Sequence, residues 1–179
     1  MIMKHIMLDL ETFGTRPGSV IRSVGAVEFD LSGKIGETFY ANIQHLSCVD
    51  AGLVVDPSTV KWWSEQDKAA QDAFLSDQRP LMEVAMTFTT WFRKVGGECV
   101  WGQGANFDPP LWEAAVLAVN SSAPWKFWNV RDTRTVYDIF GFDTRDLVRK
   151  RVHHNALDDA VHQVALVAAA LRKGRPASP

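Results

Sequence analysis

Three segments of strand character follow one another within the first 43 residues, so the chain must build an antiparallel sheet before anything else. His5 to Glu11 places Ile6, Leu8 and Leu10 on one face, the period-two pattern of a half-buried strand. Val20 to Asp30 is a second such segment, and Leu31-Ser32-Gly33-Lys34 reads as a hairpin turn into a third, Ile35 to Ile43. After Pro57-Ser58 the period changes. Val60, Trp62 and Trp63, then Ala69, Ala70, Ala73 and Phe74, predict two short helices. Pro80 opens a longer helix carrying Val84, Phe88, Trp91, Phe92 and Val95, which Gly96-Gly97 stops. Glu98 to Trp101 predicts a brief strand. Asp108-Pro109-Pro110 caps and opens a helix through Val119, and Lys126 to Val130 predicts a further strand leading to Asp132-Thr133 at a short helix, with Asp132 as its N-cap. A final helix is expected from about His154 to Leu171. The expected fold class is therefore α/β, a mixed central sheet of about five strands, the first three antiparallel, flanked by helices.

The chain has 179 residues, 46% of them hydrophobic, which suits one domain able to bury roughly 68–70% of its unfolded surface. We expect a single domain over 1–173, with 174–179 as a flexible tail. No apolar run approaches the ~20 residues needed to cross a bilayer, and Asp9 interrupts the apolar opening stretch, so no membrane partner and a cytoplasmic location are expected. Cys48 and Cys99 have neither the spacing of a zinc site nor the number of a disulfide framework, and are read as reduced and structural. A net charge of −2 excludes coating of nucleic acid by charge alone, which needs many Lys and Arg contacts to phosphate.

The chemistry lies in the acids. In the strand ending Asp9-Leu10-Glu11-Thr12, side chains 9 and 11 share a face, about 6–7 Å apart. Two like charges there repel unless a cation sits between them, and hard oxygen ligands suit Mg²⁺ or Mn²⁺; the bland alternative is an acidic pair at a solvated strand end. Asp108 follows Gly102-Gln103-Gly104-Ala105-Asn106-Phe107, whose glycines allow close backbone approach; the alternative is a helix N-cap and nothing more. His154 and Asp159, five apart, can face one cavity if the His sits in the loop before the helix, against a solvated helix terminus as the alternative.

In combination these residues resemble the DEDDh (DnaQ-like) superfamily of 3′-5′ exonucleases, from Ile6 to about Leu171. Asp9 and Glu11 match its first motif, Asp108 in Asn106-Phe107-Asp108 its second, and His154 with Asp159 its third. His154 rather than His153 takes the role, because only it stands five residues before Asp159. Leu8 to Thr12, the Ile21 to Ala26 strand, Trp62-Trp63 after Pro57 and Arg131 to Thr135 look like a small stand-alone branch, similar to mycobacterial 3′-5′ exoribonucleases and to the nuclease part of exodeoxyribonuclease VIII. The resemblance implies an RNase H-like fold and hydrolysis of phosphodiesters from the 3′ end of RNA or DNA, releasing 5′-mononucleotides. It also implies two divalent cations, Mg²⁺ or Mn²⁺, about 3.5–4 Å apart. Asp9, Glu11, Asp108 and Asp159 would hold them, and His154 would act as general base.

Substrate contacts are expected from Thr12, Phe13, Asn106 and Phe107 around the terminal nucleotide, and from Trp62 and Trp63 by stacking. Core packing is the alternative for at least one of the two tryptophans. Arg145, Arg149, Lys150 and Arg151 are expected at backbone phosphates, with a solvated basic loop as the alternative. The implied partner is nucleic acid with a 3′ end, single-stranded or overhanging, and exposed aromatics would permit a homodimer. A catalytically silent nucleic-acid-binding domain and a polymerase-associated proofreading subunit are the alternative functions.

Overall fold

The alternation at the start of the chain produces β1 (His5–Thr12), which pairs antiparallel with β2 (Ile21–Phe29). β2 in turn pairs antiparallel with β3 (Ile35–Ile43). The turn between β2 and β3 closes as expected: the Asp30 carboxylate accepts from the Ser32 and Lys34 backbone N–H groups, and Gly33 takes φ +95°, a conformation that favours glycine. The computed structural model describes residues 4–148 and 154–174.

Past β3 the chain forms three short helices, α1 (His45–Asp50), α2 (Pro57–Ser64) and α3 (Lys68–Asp72). A two-residue strand β4 (Gln78–Arg79) then adds to the outer edge of β3. The longer helix α4 (Leu81–Lys94) returns the chain to β5 (Cys99–Gly102), parallel to β1. Helix α5 (Asp108–Ala118) leads to β6 (Val130–Asp132), parallel to β5, and α6 (Thr133–Ile139) follows at once. Helix α7 (Ala156–Lys173) closes the fold. The sheet order is β4-β3-β2-β1-β5-β6. The mixed sheet thus has the expected strands and a small sixth, and α1 and β4 are additions to the expected elements. Only Cys48 of α1 is buried and no side chain caps it, so it carries no helical period to read.

The strand expected over Lys126 to Val130 lies later. Phe127–Asn129 form a single 3-10 turn, and strand pairing begins at Val130. Arg131 closes that turn by donating to the Trp128 and Val130 carbonyls, and Phe127 is left 81% exposed. Alternating side-chain character there reflects an exposed aromatic corner, not a buried strand. Asp132 caps α6 as expected, accepting from the Arg134 backbone N–H at 2.9 Å.

Side-chain alternation in β1 divides the core in two. Ile6, Leu8 and Leu10 pack with Phe88 and Phe92 of α4 and Trp112 of α5 on one face. Met7 packs with Trp101 and with Val164 and Val167 of α7 on the other. Asp9 and Glu11 therefore point, by the same alternation, towards the face covered by α7. Among the described residues no helix is long and apolar enough to cross a membrane.

Candidate functional site

Helix α7 can start against the sheet because β2 carries glycine where the two meet. Gly25 pairs with Asp9 across the β1–β2 ladder. A Cβ on it would stand 2.2 Å from the Ala156 carbonyl carbon and 2.3 Å from the Leu157 nitrogen. Asn155 fixes the helix start, its side chain accepting from the Leu157 and Asp158 N–H groups at 3.1 Å each. One turn into the helix, Asp159 is thereby held opposite the end of β1.

The result is a cluster of carboxylates. Asp9, Glu11 and Asp159 each present an oxygen such that all three atoms lie within 4.8 Å of one another. They line a cleft of about 650 Å³ together with Asp108 and His154. The five expected acid and histidine positions therefore border one cavity, although Asp108 stands outside the close group of three. Burial, and then the charges of Asp108, Glu11 and Asp159, push the Asp9 carboxyl well above the usual carboxylate range. Four acids in one partly buried cleft are stable as carboxylates only beside compensating positive charge, and the donors are all hard oxygens. The residues present fit a divalent cation.

Asp108 does not cap its own helix as expected. It is the first residue of α5, the N-cap position belongs to Phe107, and the Asp108 carboxylate points back into the sheet. Its two oxygens accept from the backbone N–H groups of Leu10 at 3.1 Å and Gln103 at 3.3 Å. Its carboxyl is pushed up to about 7 because burial outweighs those hydrogen bonds. Gly102 makes the arrangement fit, since a Cβ there would meet Pro109 Cδ at 2.9 Å and Asp108 Oδ2 at 3.1 Å.

His154 lies in the turn before α7, with φ +61°, the loop placement under which five-residue spacing lets it share a cavity with Asp159. Its ring meets Trp62 and Trp63 edge-on at centroid distances of 5.0 and 5.8 Å. The two tryptophans differ in kind. Trp63 is 4% exposed, packs on Phe74 and Ala70, and donates its indole N–H to the Thr12 carbonyl at 2.8 Å. Trp62 is 42% exposed. Core packing thus accounts for Trp63, while Trp62 borders, with Glu11 and Phe107, a neighbouring cavity of about 490 Å³. Thr12 lies on that cavity but is buried, its hydroxyl donating to the Gly14 carbonyl. Phe13 borders neither cavity, and its ring lies under the Arg22 guanidinium. Asn106 and Phe107 line the main cleft. Arg149, Lys150 and Arg151 lie outside the described residues, and Arg145 is paired with Asp143 and does not line the cleft.

Several residues of the site were not expected. Gln163 donates to Asp9 Oδ1 at 2.6 Å; the signal was an amide four residues after Asp159 on an otherwise apolar helix face. Arg22 stacks on Phe13, Trp63 and Phe74, 3.6 Å from the last centroid. Burial lowers its pKa to about 10, so it stays cationic at neutral pH, close enough for the Glu11 charge to act on it. Arg134 and His162 also reach the cleft.

Among solved structures, a zinc-bound complex of E. coli exonuclease I with single-stranded DNA superposes with a TM-score of 0.71 at 13% identity, covering 97% of this chain and 41% of that one. E. coli exonuclease I with a dA16 oligonucleotide gives 0.68 at 15% identity, over 96% and 41%. The nuclease domain of 3'hExo, a DEDDh family member, bound to rAMP, gives 0.65 at 11% identity, over 96% and 92%. The chain spans about two fifths of the exonuclease I chains, and at these identities the likeness is one of fold, the RNase H-like fold of DEDDh exonucleases. No curated protein matches the chain. The model of the 3′-5′ exoribonuclease Rv2179c-like domain matches residues 4–171, nearly the whole length. The chain belongs to that 3′-5′ exoribonuclease Rv2179c-like domain family.

Proposed function

We propose that the chain is a divalent-cation-dependent 3′-5′ exonuclease that shortens RNA or DNA strands from the 3′ end and releases 5′-mononucleotides. The observation that carries this reading is the convergence of Asp9, Glu11 and Asp159 within 4.8 Å in a cleft shared with Asp108 and His154. Family membership supports the reaction class.

Asp9, Glu11 and Asp159 would hold the divalent cations, Mg²⁺ or Mn²⁺ and two in number, with Asp108 contributing from behind. Such ions would supply neutralisation of the phosphate charge and stabilisation of the attacking and leaving oxygens. His154 takes the proton of the attacking water, a role that needs a neutral imidazole. Its seat against Trp62 and Trp63 limits the ring's rotation and so fixes its direction. Gln163 orients the Asp9 carboxylate, as an outer hydrogen-bond donor does for a ligating group. Trp62 and Phe107 border the terminal nucleoside. Neighbours of the same fold are described bound to single-stranded DNA and to rAMP, so both sugars belong in the test.

The experiment is digestion of matched 5′-labelled RNA and DNA strands, single and overhanging, with Mg²⁺, Mn²⁺ or EDTA. A ladder shrinking from the 3′ end, absent in EDTA and in Asp9→Ala, is the expected result. His154→Ala should lose most turnover while retaining strand binding. Strand binding without cleavage under any metal would replace the enzyme with a binding domain.

A further inference from the structure

We propose that Arg134, with the cavity it borders, forms a second strand-binding subsite whose guanidinium holds the phosphodiester one linkage upstream of the scissile bond. The proposal rests on the exonuclease reading and extends it from the reacting phosphate to the strand that feeds it.

A cavity of about 590 Å³ adjoins the acidic cleft and shares Gln103, Arg134 and Thr144 with it, so Arg134 stands where the two spaces meet. Arg134 is the one Arg or Lys among the described residues lining the cleft. Its position is built, not incidental. Asp132 caps the first turn of α6 through the Arg134 backbone N–H. The side chain then lies over Gly104, with Nη1 3.5 Å from where a Cβ would stand. Gly104 adopts φ +116°, a conformation side-chain-bearing residues rarely take.

The neighbouring cations are engaged elsewhere. Arg131 donates to the Trp128 and Val130 carbonyls, and Arg145 clasps Asp143, which also removes that carboxylate of the second cavity from competition. Among the described residues the Arg134 guanidinium makes no hydrogen bond and no ion pair, even with Asp138 one turn on in α6, although its charge acts on the Asp108 carboxyl. An arginine fork left open beside a cleft of acids suits an anion that arrives with the substrate, and a phosphodiester matches its geometry.

Direction follows from the two flanks of the acids. On one side lies the smaller cavity walled by Trp62, Trp63 and Phe107, suited to a terminal base and sugar. On the other, Arg134 opens onto the second cavity, suited to backbone that must continue out to solvent. A strand whose last nucleoside sits among the aromatics and whose scissile phosphate sits at the acids therefore passes its next phosphate to Arg134.

The test is a cycle on both partners. A 5′-labelled single strand carries one uncharged methylphosphonate at the linkage next upstream of the scissile phosphate, and binding is read by fluorescence anisotropy in Ca²⁺. The unaltered protein should bind the neutralised strand about tenfold more weakly, as loss of one charge-assisted hydrogen bond implies. Arg134→Met should bind the ordinary strand about tenfold more weakly, Arg134→Lys should recover part of that loss, and Arg134→Met should not distinguish the two strands. Additive losses, or no loss on the neutralised strand, would overturn the subsite. Shortening of the ordinary strand with Mn²⁺ is measured in parallel. Its failure with the cycle intact removes the exonuclease reading and leaves the anion subsite, while the reverse removes the subsite alone.

Discussion

Gly25→Ala tests whether the site depends on close approach of α7 to β2. The added methyl would stand 2.2 Å from a backbone carbon of Ala156, where an ordinary contact begins at 3.4 Å, so the helix start must retreat by about 1.2 Å. Two effects compete. Alanine restricts the unfolded chain and would stabilise by about 0.4–1 kcal/mol if it fitted. Overpacking opposes this by about 1–3 kcal/mol, and more where the clashing atoms are backbone that cannot rotate away. The contact wins, for a net loss near 2 kcal/mol, which in a domain of this size lowers Tm by about 4–8 °C. The functional effect should be larger. The same retreat carries Asp159 away from Asp9, its ladder partner being Gly25 itself, and a displacement of ~1 Å at a reacting centre reduces turnover about 100-fold. Thermal unfolding and nucleotide release on a labelled strand are the two measurements. A Gly25→Ala protein with unchanged Tm and turnover within twofold of the parent would refute the argument that this glycine sets the geometry.

The remaining expectations concern single contacts. Gln163→Leu removes the donor to Asp9; the Mn²⁺ concentration giving half-maximal activity should rise about 10–100-fold, and no change would mean that the amide does not orient the ligand. Trp63→Ala, at a 4% exposed position, should destabilise by about 3–5 kcal/mol, whereas Trp62→Ala should leave Tm nearly unchanged and raise KM; the reverse pattern in a paired melt and kinetic assay would exchange their roles. Metal-free protein should lose stability as pH rises from about 4 to 7. The folded state keeps protons on Asp9 and on Asp108, raised to about 7, that the unfolded chain releases near 3.8, so the slope is about 1.4 kcal/mol per pH unit for each extra proton held. Burial of His5, whose pKa is lowered, works in the opposite sense but is common to both proteins when Asp9→Asn is compared with the parent by denaturant unfolding. That variant should show a flatter profile, and an identical profile would mean that Asp9 is ionised in the metal-free fold.

What the sequence made legible was periodic or chemically conspicuous. β1 to β3 and α4 carry enough alternation or helical spacing to be located to within a residue or two. The acids at 9, 11, 108 and 159 announce themselves by type and order. Short elements held by tertiary context carried no such signal. The strand at Val130–Asp132 has three residues and takes its pairing from β5, so the aromatic corner before it carries the stronger strand-like pattern. Asp108 follows Phe107 and precedes two prolines, a sequence that suits a cap; only the backbone N–H groups of Leu10 and Gln103, 98 and 5 residues away, turn its carboxylate inwards. Gln163, Gly25 and Arg134 were illegible as site residues for the same reason. Each matters through what another element brings to it.

The location of the acids follows from the order in which the sheet is assembled. From β1 the chain adds β2 and β3 on one side, then returns to place β5 and β6 on the other, so consecutive stages of the fold diverge from β1. β1, β5 and β6 run parallel, and the loops beyond their carboxyl ends must separate where they leave the sheet, opening a crevice there. Asp9 and Glu11 end β1, Asp108 stands just past β5, and Arg134 begins the helix after β6. Asp159 and His154 reach the same crevice only because α7 crosses β2 at Gly25. The strands thus provide a fixed row of acids and a cation, and one helix start completes it. Perturbations of the α7 crossing should therefore reach chemistry and strand binding together, whereas changes at Arg134 should act mainly on strand binding.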